Sequence, residues 1–262
     1  MRVDSRGSGT PVRRIDLEAA DSGEILLDAE GVVALSAALE DAEADSSCRV
    51  IVLSGSPGSF CRGMDIGSIT SGERTDLTRE IHSFASCLAM IRASERVVIS
   101  AVDGEAAGGG VGLAAAADIC IATARSTFAL PELVLGLLPA IILPVLLERL
   151  PPQKVRLLCL SSSINSGEAL AWGLVDRLAQ DPSELEKSVR SATKHCLRCS
   201  PKAVAELKTR WGAPNLEDAL EAGAGRLAQL IGEEETAQAL RAFLDGEPMP
   251  WFIPYGPKRE SR

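Results

Sequence analysis

The chain reads as an α/β protein whose β-rich first half gives way to a helical second half. Short apolar runs bounded by Gly, Pro and polar residues recur up to about residue 130. Two glycine-rich loops follow such runs. After Pro131, apolar residues recur at helical rather than strand spacing.

In order, residues 1–10 are polar and are expected to form a disordered leader with no signal peptide. Val12 to Leu17 and Glu24 to Leu27 read as first strands. Gly31 to Glu43 reads as a helix, from apolar positions at Val32, Leu35, Ala38 and Leu39. Arg49 to Ser54 is a buried strand, Gly55 to Met64 a loop, and Thr75 to Ala93 a helix with Leu77, Ile81, Phe84, Leu88 and Ile91 on one face. Arg96 to Val102 is strand, Asp103-Gly104 a turn, Val111 to Ala117 a small-residue helix, and Ile119 to Ala122 and Thr127 to Ala129 strands. Helices are then expected at about 142–150, 152–160, 166–171, 182–199, 201–211 and 216–245. The tail, Pro248 to Arg262, carries Trp251, Phe252, Tyr255, Lys258 and Arg259 and reads as an extended arm or docked segment.

A length of 262 residues suffices for one sizeable core. Aromatics are only 3%, so Ala, Leu, Ile and Val must fill it. A net charge of −9 argues against nonspecific nucleic-acid binding. Cysteines number seven and several sit in apolar runs, which suits buried thiols in a reducing cytoplasm. Cys196 and Cys199 stand beside His195 without a second ligand pair at metal spacing, so no metal is expected. Leu133 to Leu147 and Val111 to Ala117 are too short and too interrupted to span a bilayer, so no membrane association is expected.

The chemistry-bearing segments are the loops Ser56 to Ile66 and Val102 to Gly112. Glycine lets backbone N–H groups approach a ligand closely, and a helix starting at Gly108-Gly-Gly110 aims its positive end there. Two such N–H groups converging on one carbonyl oxygen make an oxyanion hole. Either cluster alone is equally a tight turn. Neither closes with the Gly-Lys-Ser/Thr of a phosphate-binding loop, and the spacing does not suit a dinucleotide fingerprint. His82 and His195 read as surface or core histidines, and no nucleophile–histidine pair is arguable from spacing.

Four segments then carry a resemblance. Phe60-Cys-Arg-Gly-Met-Asp-Ile66 resembles F-C-x-G-x-D-L of the crotonase (enoyl-CoA hydratase/isomerase) superfamily. Gly108-Gly-Gly-Val-Gly-Leu-Ala-Ala-Ala-Ala-Asp-Ile119 resembles its G-G-G-x-x-L-A-L-A-C-D-I. Phe128 to Pro139 is similar to F-x-x-P-E-x-x-L-G-L-x-P, and Ser166 to Val175 to A-x-E-A-x-x-x-G-L-V. The four stand in family order over about residues 50–176. The resemblance implies a spiral core of ββα units over 11–195, a helical trimerisation region and tail over 196–262, and a homotrimer or hexamer. It implies an acyl thioester substrate carried on the phosphopantetheine of coenzyme A or of an acyl carrier protein, with no further cofactor. By position it implies an oxyanion hole from the N–H groups of Met64 and Gly109, and substrate contacts from Arg62, Gly108, Gly110 and Leu138.

Hydratases of this family use two glutamates. Here the position after the glycine triplet is Gly112, and only Glu132 remains. Two carboxylates let one handle water and the other the α-carbon proton, so the resemblance implies that ordinary hydration is compromised while Glu132 is kept for α-proton transfer. Asp65 is a second catalytic candidate, though it equally suits a loop or helix N-cap. Asp118 reads as structural, and Glu105 as a weaker neighbour of the loop. Where hydratases carry G-x-x-P-G-x-G-G-T-Q-R-L, this chain has Pro139-Ala-Ile-Ile-Leu-Pro144. With C-x-G-M-D at 61–65 and G-G-x-G at 109–112, it is similar to the dehydratases of polyketide β-branching cassettes. That implies loss of water from 3-hydroxy-3-methylglutaryl-carrier protein, a lyase reaction. Asp65-Ile-Gly-Ser68 lacks the lysine of the sister decarboxylases. A carrier would need local cations, for which Arg62, Arg79, Arg92, Arg96 or Lys258–Arg259 are candidates. An enoyl-CoA isomerase or hydratase, and a non-catalytic carrier-binding scaffold, are the competing expectations.

Overall fold

In a computed structural model of the chain, residues 1–19, 23–71, 74–161, 163–211 and 215–253 are described. Lys258, Arg259 and Tyr255 lie outside them. The strands β1 (Arg2–Arg6) and β2 (Val12–Glu18) lead into helix α1 (Ala29–Ala44), whose first turn is capped by Asp28 accepting from Gly31 N–H at 2.7 Å. Then follow β3 (Val50–Ser54), β4 (Gly58–Cys61), α2 (Ile66–Ser71) and α3 (Arg74–Ala93). The pattern repeats as β5 (Val97–Val102), β6 (Gly104–Ala107) and α4 (Gly109–Ala116), and again as β7 (Ile119–Thr123) and β8 (Thr127–Ala129). The rest is α5 (Leu143–Arg149), α6 (Pro152–Ser161), β9 (Ser163–Asn165), α7 (Ser166–Trp172), β10 (Arg177–Ala179), α8 (Pro182–Cys196), α9 (Pro201–Trp211), α10 (Leu216–Ile231) and α11 (Glu234–Leu244).

The first strand of each repeat joins one six-stranded sheet, ordered β1-β2-β3-β5-β7-β10, and the second joins a four-stranded sheet, ordered β4-β6-β8-β9. Successive repeats pair in parallel, Val50 beside Val97 and Ile99 beside Ile119 in the first sheet, Gly58 beside Gly104 in the second. This is the ββα spiral that the sequence resemblance implied. Its central strands β3, β5 and β7 are buried on both faces, which is why they read as unbroken apolar runs. On β3, Val50 and Val52 face α8 through Leu185, Val189 and Ala192. Ile51 and Leu53 face the main core with α1, α3 and α4. No helix among the described residues is long and apolar enough to cross a membrane.

Three expectations are corrected. Residues 1–10 are no disordered leader: β1 pairs antiparallel with β2 from Arg2↔Glu18 to Arg6↔Arg14, and Met1 is buried. Its mostly polar side chains, none of them buried, suit an edge strand, and so mimic a disordered composition. Residues 24–27 make only an isolated bridge, Leu27 to Met64. The helix expected over 216–245 is two helices, broken at Gly232.

Candidate active site

The first repeat's loop after β4 and the second repeat's helix α4 meet edge to edge. The local backbone decides what each can offer. Leu27 N–H donates to Gly63 O at 2.8 Å and Asp65 N–H to Leu27 O at 3.2 Å. That parallel bridge spends the groups on either side of Met64 and turns its own N–H away from Leu27. Gly109 opens α4, so its N–H has no acceptor within the helix. Gly63 lies at φ +84°, and a Cβ there would stand 2.9 Å from Ala107 O and 3.1 Å from Gly109 N. Only glycine lets the two loops come this close in that conformation.

Both Met64 and Gly109 line an apolar cavity of about 650 Å³, counting its open mouth. Arg62 stands on its rim, and Phe84, Leu138, Ile142, Leu227 and Ile231 form much of its wall. Among the described lining residues, the charged ones are Arg62 and Glu132.

Glu132 starts a tight turn after Pro131, in which Leu135 and Leu137 N–H groups return to Glu132 O at 3.0 and 2.8 Å. Gly136 closes the turn at φ +73°, with its Cα under the Trp251 ring: a Cβ there would lie 2.5 Å from the indole. Thr236 of α11 donates its hydroxyl to Gly136 O at 3.4 Å. The turn sends the carboxyl group over the glycine triplet, Oε1 lying 3.2 Å from where a Gly108 Cβ would be. Oε2 is buried with no hydrogen-bond partner. Removal from water penalises the carboxylate, so burial pushes this carboxyl up to about 7 from its ordinary 4.5.

The residues expected at the site divide. Arg62, Met64, Gly108, Gly109, Glu132 and Leu138 come together on the cavity. Arg62 is half-exposed and already pairs with Glu24 and, at 3.2 Å, with Glu105. Gly110 does not line the cavity: its side-chain direction faces the spiral, where a Cβ would lie 2.0 Å from Cys61 O, so its smallness serves packing of α4 on β4. Asp65 does not line the cavity; its Oδ1 accepts from Gly67 N–H at 2.9 Å, the local capping role open to it from the start. Asp118 is structural as expected: it accepts Val98 N–H and Lys208 Nζ, each at 2.7 Å. His82 pairs with Glu221 at 2.8 Å and His195 contacts Ser191 O at 2.8 Å, both away from the cavity. Burial pushes the Cys61 thiol up to about 12, which makes it a poor nucleophile. No group of three or more His, Cys, Asp or Glu side chains fit to hold a metal lies among the described residues.

Sequence reasoning missed Ile142. A side chain at Gly112 would meet it first, Cβ to Cγ2 at 2.4 Å. It also missed Leu227 and Ile231, which reach the cavity from one face of α10 at i, i+4 spacing.

The spiral and the paired glycine loops define a class, and comparison with known proteins agrees. The enoyl-CoA hydratase/isomerase family model matches residues 26–252, so the chain belongs to that family. A carnitinyl-CoA dehydratase of Proteus mirabilis is 36% identical over 170 residues; the match spans 63% of this chain and 63% of that relative, less than two thirds of its length. The crystal structure of an enoyl-CoA hydratase from Mycobacterium avium superposes with a TM-score of 0.83 at 30% identity, covering 95% of this chain and 98% of that one. A Bacillus subtilis structure titled as a polyketide biosynthesis enoyl-CoA hydratase superposes with a TM-score of 0.79, covering 94% and 98%; at 23% identity it shares the fold alone.

Proposed function

We propose that the chain is a lyase that removes water from a 3-hydroxyacyl thioester, with 3-hydroxy-3-methylglutaryl-acyl carrier protein as substrate and 3-methylglutaconyl-carrier protein as product. One observation carries the reading: the Glu132 carboxyl, its Oε2 buried without a hydrogen-bond partner, poised near neutrality beside two outward backbone N–H groups. The thioester oxygen accepts from Met64 and Gly109 N–H. Ionised Glu132 takes the α-proton, and the electron pair moves into the thioester as an enolate held by those donors. The pair then returns to form the Cα–Cβ double bond as the Cβ–O bond breaks. The departing hydroxide takes the proton back from Glu132, so water leaves and the carboxylate is restored.

Dehydration is supported by family membership and by the name of the Proteus relative. The β-branching substrate is supported by the segments around residues 61–65, 109–112 and 139–144. The substrate's free carboxylate would go to Arg62, in exchange for Glu24 or Glu105. A carrier-protein partner, a homotrimer or hexamer and a cytoplasmic setting belong to the same proposal; the phosphopantetheine arm comes with the substrate. The Proteus relative, named for a coenzyme A thioester, favours a second reading: the same elimination, with coenzyme A as the handle.

The test is to incubate the protein with 3-hydroxy-3-methylglutaryl-loaded carrier protein and weigh the carrier. A loss equal to one water that vanishes in Glu132→Gln is the expected result. An intact substrate, with a competent carrier, overturns it, and coenzyme A thioesters then decide between dehydratase and isomerase. No turnover of any thioester would leave a binding scaffold.

A further inference from the structure

We infer that Ile142 fills the room a side chain at position 112 would need, and that this exchange of sizes leaves Glu132 as the single proton carrier of the cavity. Gly112 lies in the first half of α4, buried, and its added Cβ would stand 2.4 Å from Ile142 Cγ2, 3.2 Å from Ile142 Cβ and 3.6 Å from Leu88 Cδ1. The first distance is far inside contact range. Ile142 cannot step aside cheaply. It is β-branched and so stiff at χ1, it is buried, and its backbone is tied at the start of α5 by Ile142 N–H to Pro139 O at 3.1 Å and Leu146 N–H to Ile142 O at 3.0 Å.

Two departures from the hydratase pattern therefore become one. That pattern places a glutamate where this chain has Gly112. Three residues after the shared Pro139 it places a glycine, where this chain has Ile142. A large residue and a small one have changed places across the α4–α5 contact. Volume is kept, but a carboxylate and the water it would hold are replaced by hydrocarbon. Among the described residues none on that wall can carry a proton, so both transfers in an elimination run through Glu132 on one face of the substrate. The part about elimination rests on the dehydratase reading; the part about occupied space does not.

The test separates them. Melting temperatures of Gly112→Glu, Ile142→Gly and the double variant probe the space. Hydration of crotonyl-CoA by the same proteins probes the chemistry, independently of any carrier substrate. Gly112→Glu alone is expected to melt below the native chain, with Ile142→Gly restoring it. The double variant is expected to hydrate crotonyl-CoA about 100-fold faster than Ile142→Gly alone, the low end of what a general acid or base supplies. Its pH profile should gain a second ionisation. The inference is overturned if Gly112→Glu melts like the native chain, or if the folded double variant shows no gain. Should the double variant not fold, Gly112→Ala with and without Ile142→Ala decides: coupled melting supports the inference, additive melting overturns it. A gain in hydration by the double variant, with no water loss from the carrier substrate by the native chain, would sink the dehydratase reading and leave this one standing.

Discussion

Glu132 and Arg62 are the charged residues among those described on one cavity, and they differ in sign, burial and pairing. Glu132 is turned inward, with Oε2 buried and unpaired. Arg62 sits at the rim, half-exposed, between Glu24 and Glu105. Burial without a partner destabilises a charge and moves its ionisation to neutrality, which suits a group that must take up and release a proton. A cation already held by two carboxylates in reach of water gains little from either partner. The first arrangement is fit for chemistry, the second for exchanging one anion for another.

The contrast can be broken most sharply at Glu132. Glu132→Gln should lower the dehydration rate by roughly 100- to 10,000-fold, measured by carrier mass or by enoyl absorbance. The same substitution should stabilise the fold at pH 8. Glu132's ionisation is raised in the folded state, so below its ordinary 4.5 it is protonated folded or unfolded and costs nothing. As pH climbs from there through about 7, the unfolded chain releases the proton first and stability falls, by on the order of 3 kcal/mol in full. Denaturant melts at pH 4.5 and pH 8 check this; equal differences between variant and native at both would refute it.

Next in size is the pH profile of kcat/KM. With Glu132 as the base, the rate should fall about tenfold per unit below its ionisation near 7 and flatten above. A limb centred near 4.5 would mean that the carboxyl is solvated. Third, Gly136→Ala forces a side chain into the Trp251 ring at a left-handed position, and should displace the Glu132 turn. A loss of roughly 10- to 100-fold in kcat is expected, with Trp251→Ala in the same background recovering part of it. Smallest is Arg62→Ala: stability should change by less than about 1 kcal/mol. KM for a carboxylate-bearing thioester should rise about tenfold, with crotonyl-CoA unaffected. Equal effects on both substrates would remove Arg62 from recognition.

The same contrast between inward and outward separates what was legible in the sequence from what was not. β3, β5 and β7 are buried on both faces and announce themselves as apolar runs; β8 and α9 match the expected bounds. β1 is an edge strand whose polar side chains look like a tail. β4 and β6 hide in glycine-rich segments whose strand character comes from pairing with each other across repeats, Gly58 to Gly104 and Ser59 to Glu105, rather than from local preference. At the site, Glu132 and the oxyanion loops were legible because their residue types and spacing are demanding. Ile142, Phe84 and Leu227 were not, since a cavity wall and a packed core ask for the same hydrocarbon. Gly110 and Asp65 are flanked in sequence by residues that line the cavity, while their own contacts are with nearby backbone, a distinction that residue type and spacing do not carry.

Trp251 carries one more consequence. Its indole rests on Gly136, four residues from the carboxyl that the cavity is built around, whereas Trp172 is covered by the Lys154 ammonium 4.6 Å from its ring. The chain thus has its own optical probe seated on the turn that carries Glu132. Any ligand that tightens or loosens the 132–136 turn will change the emission of Trp251, and the occupancy of the cavity can be followed in real time without a label.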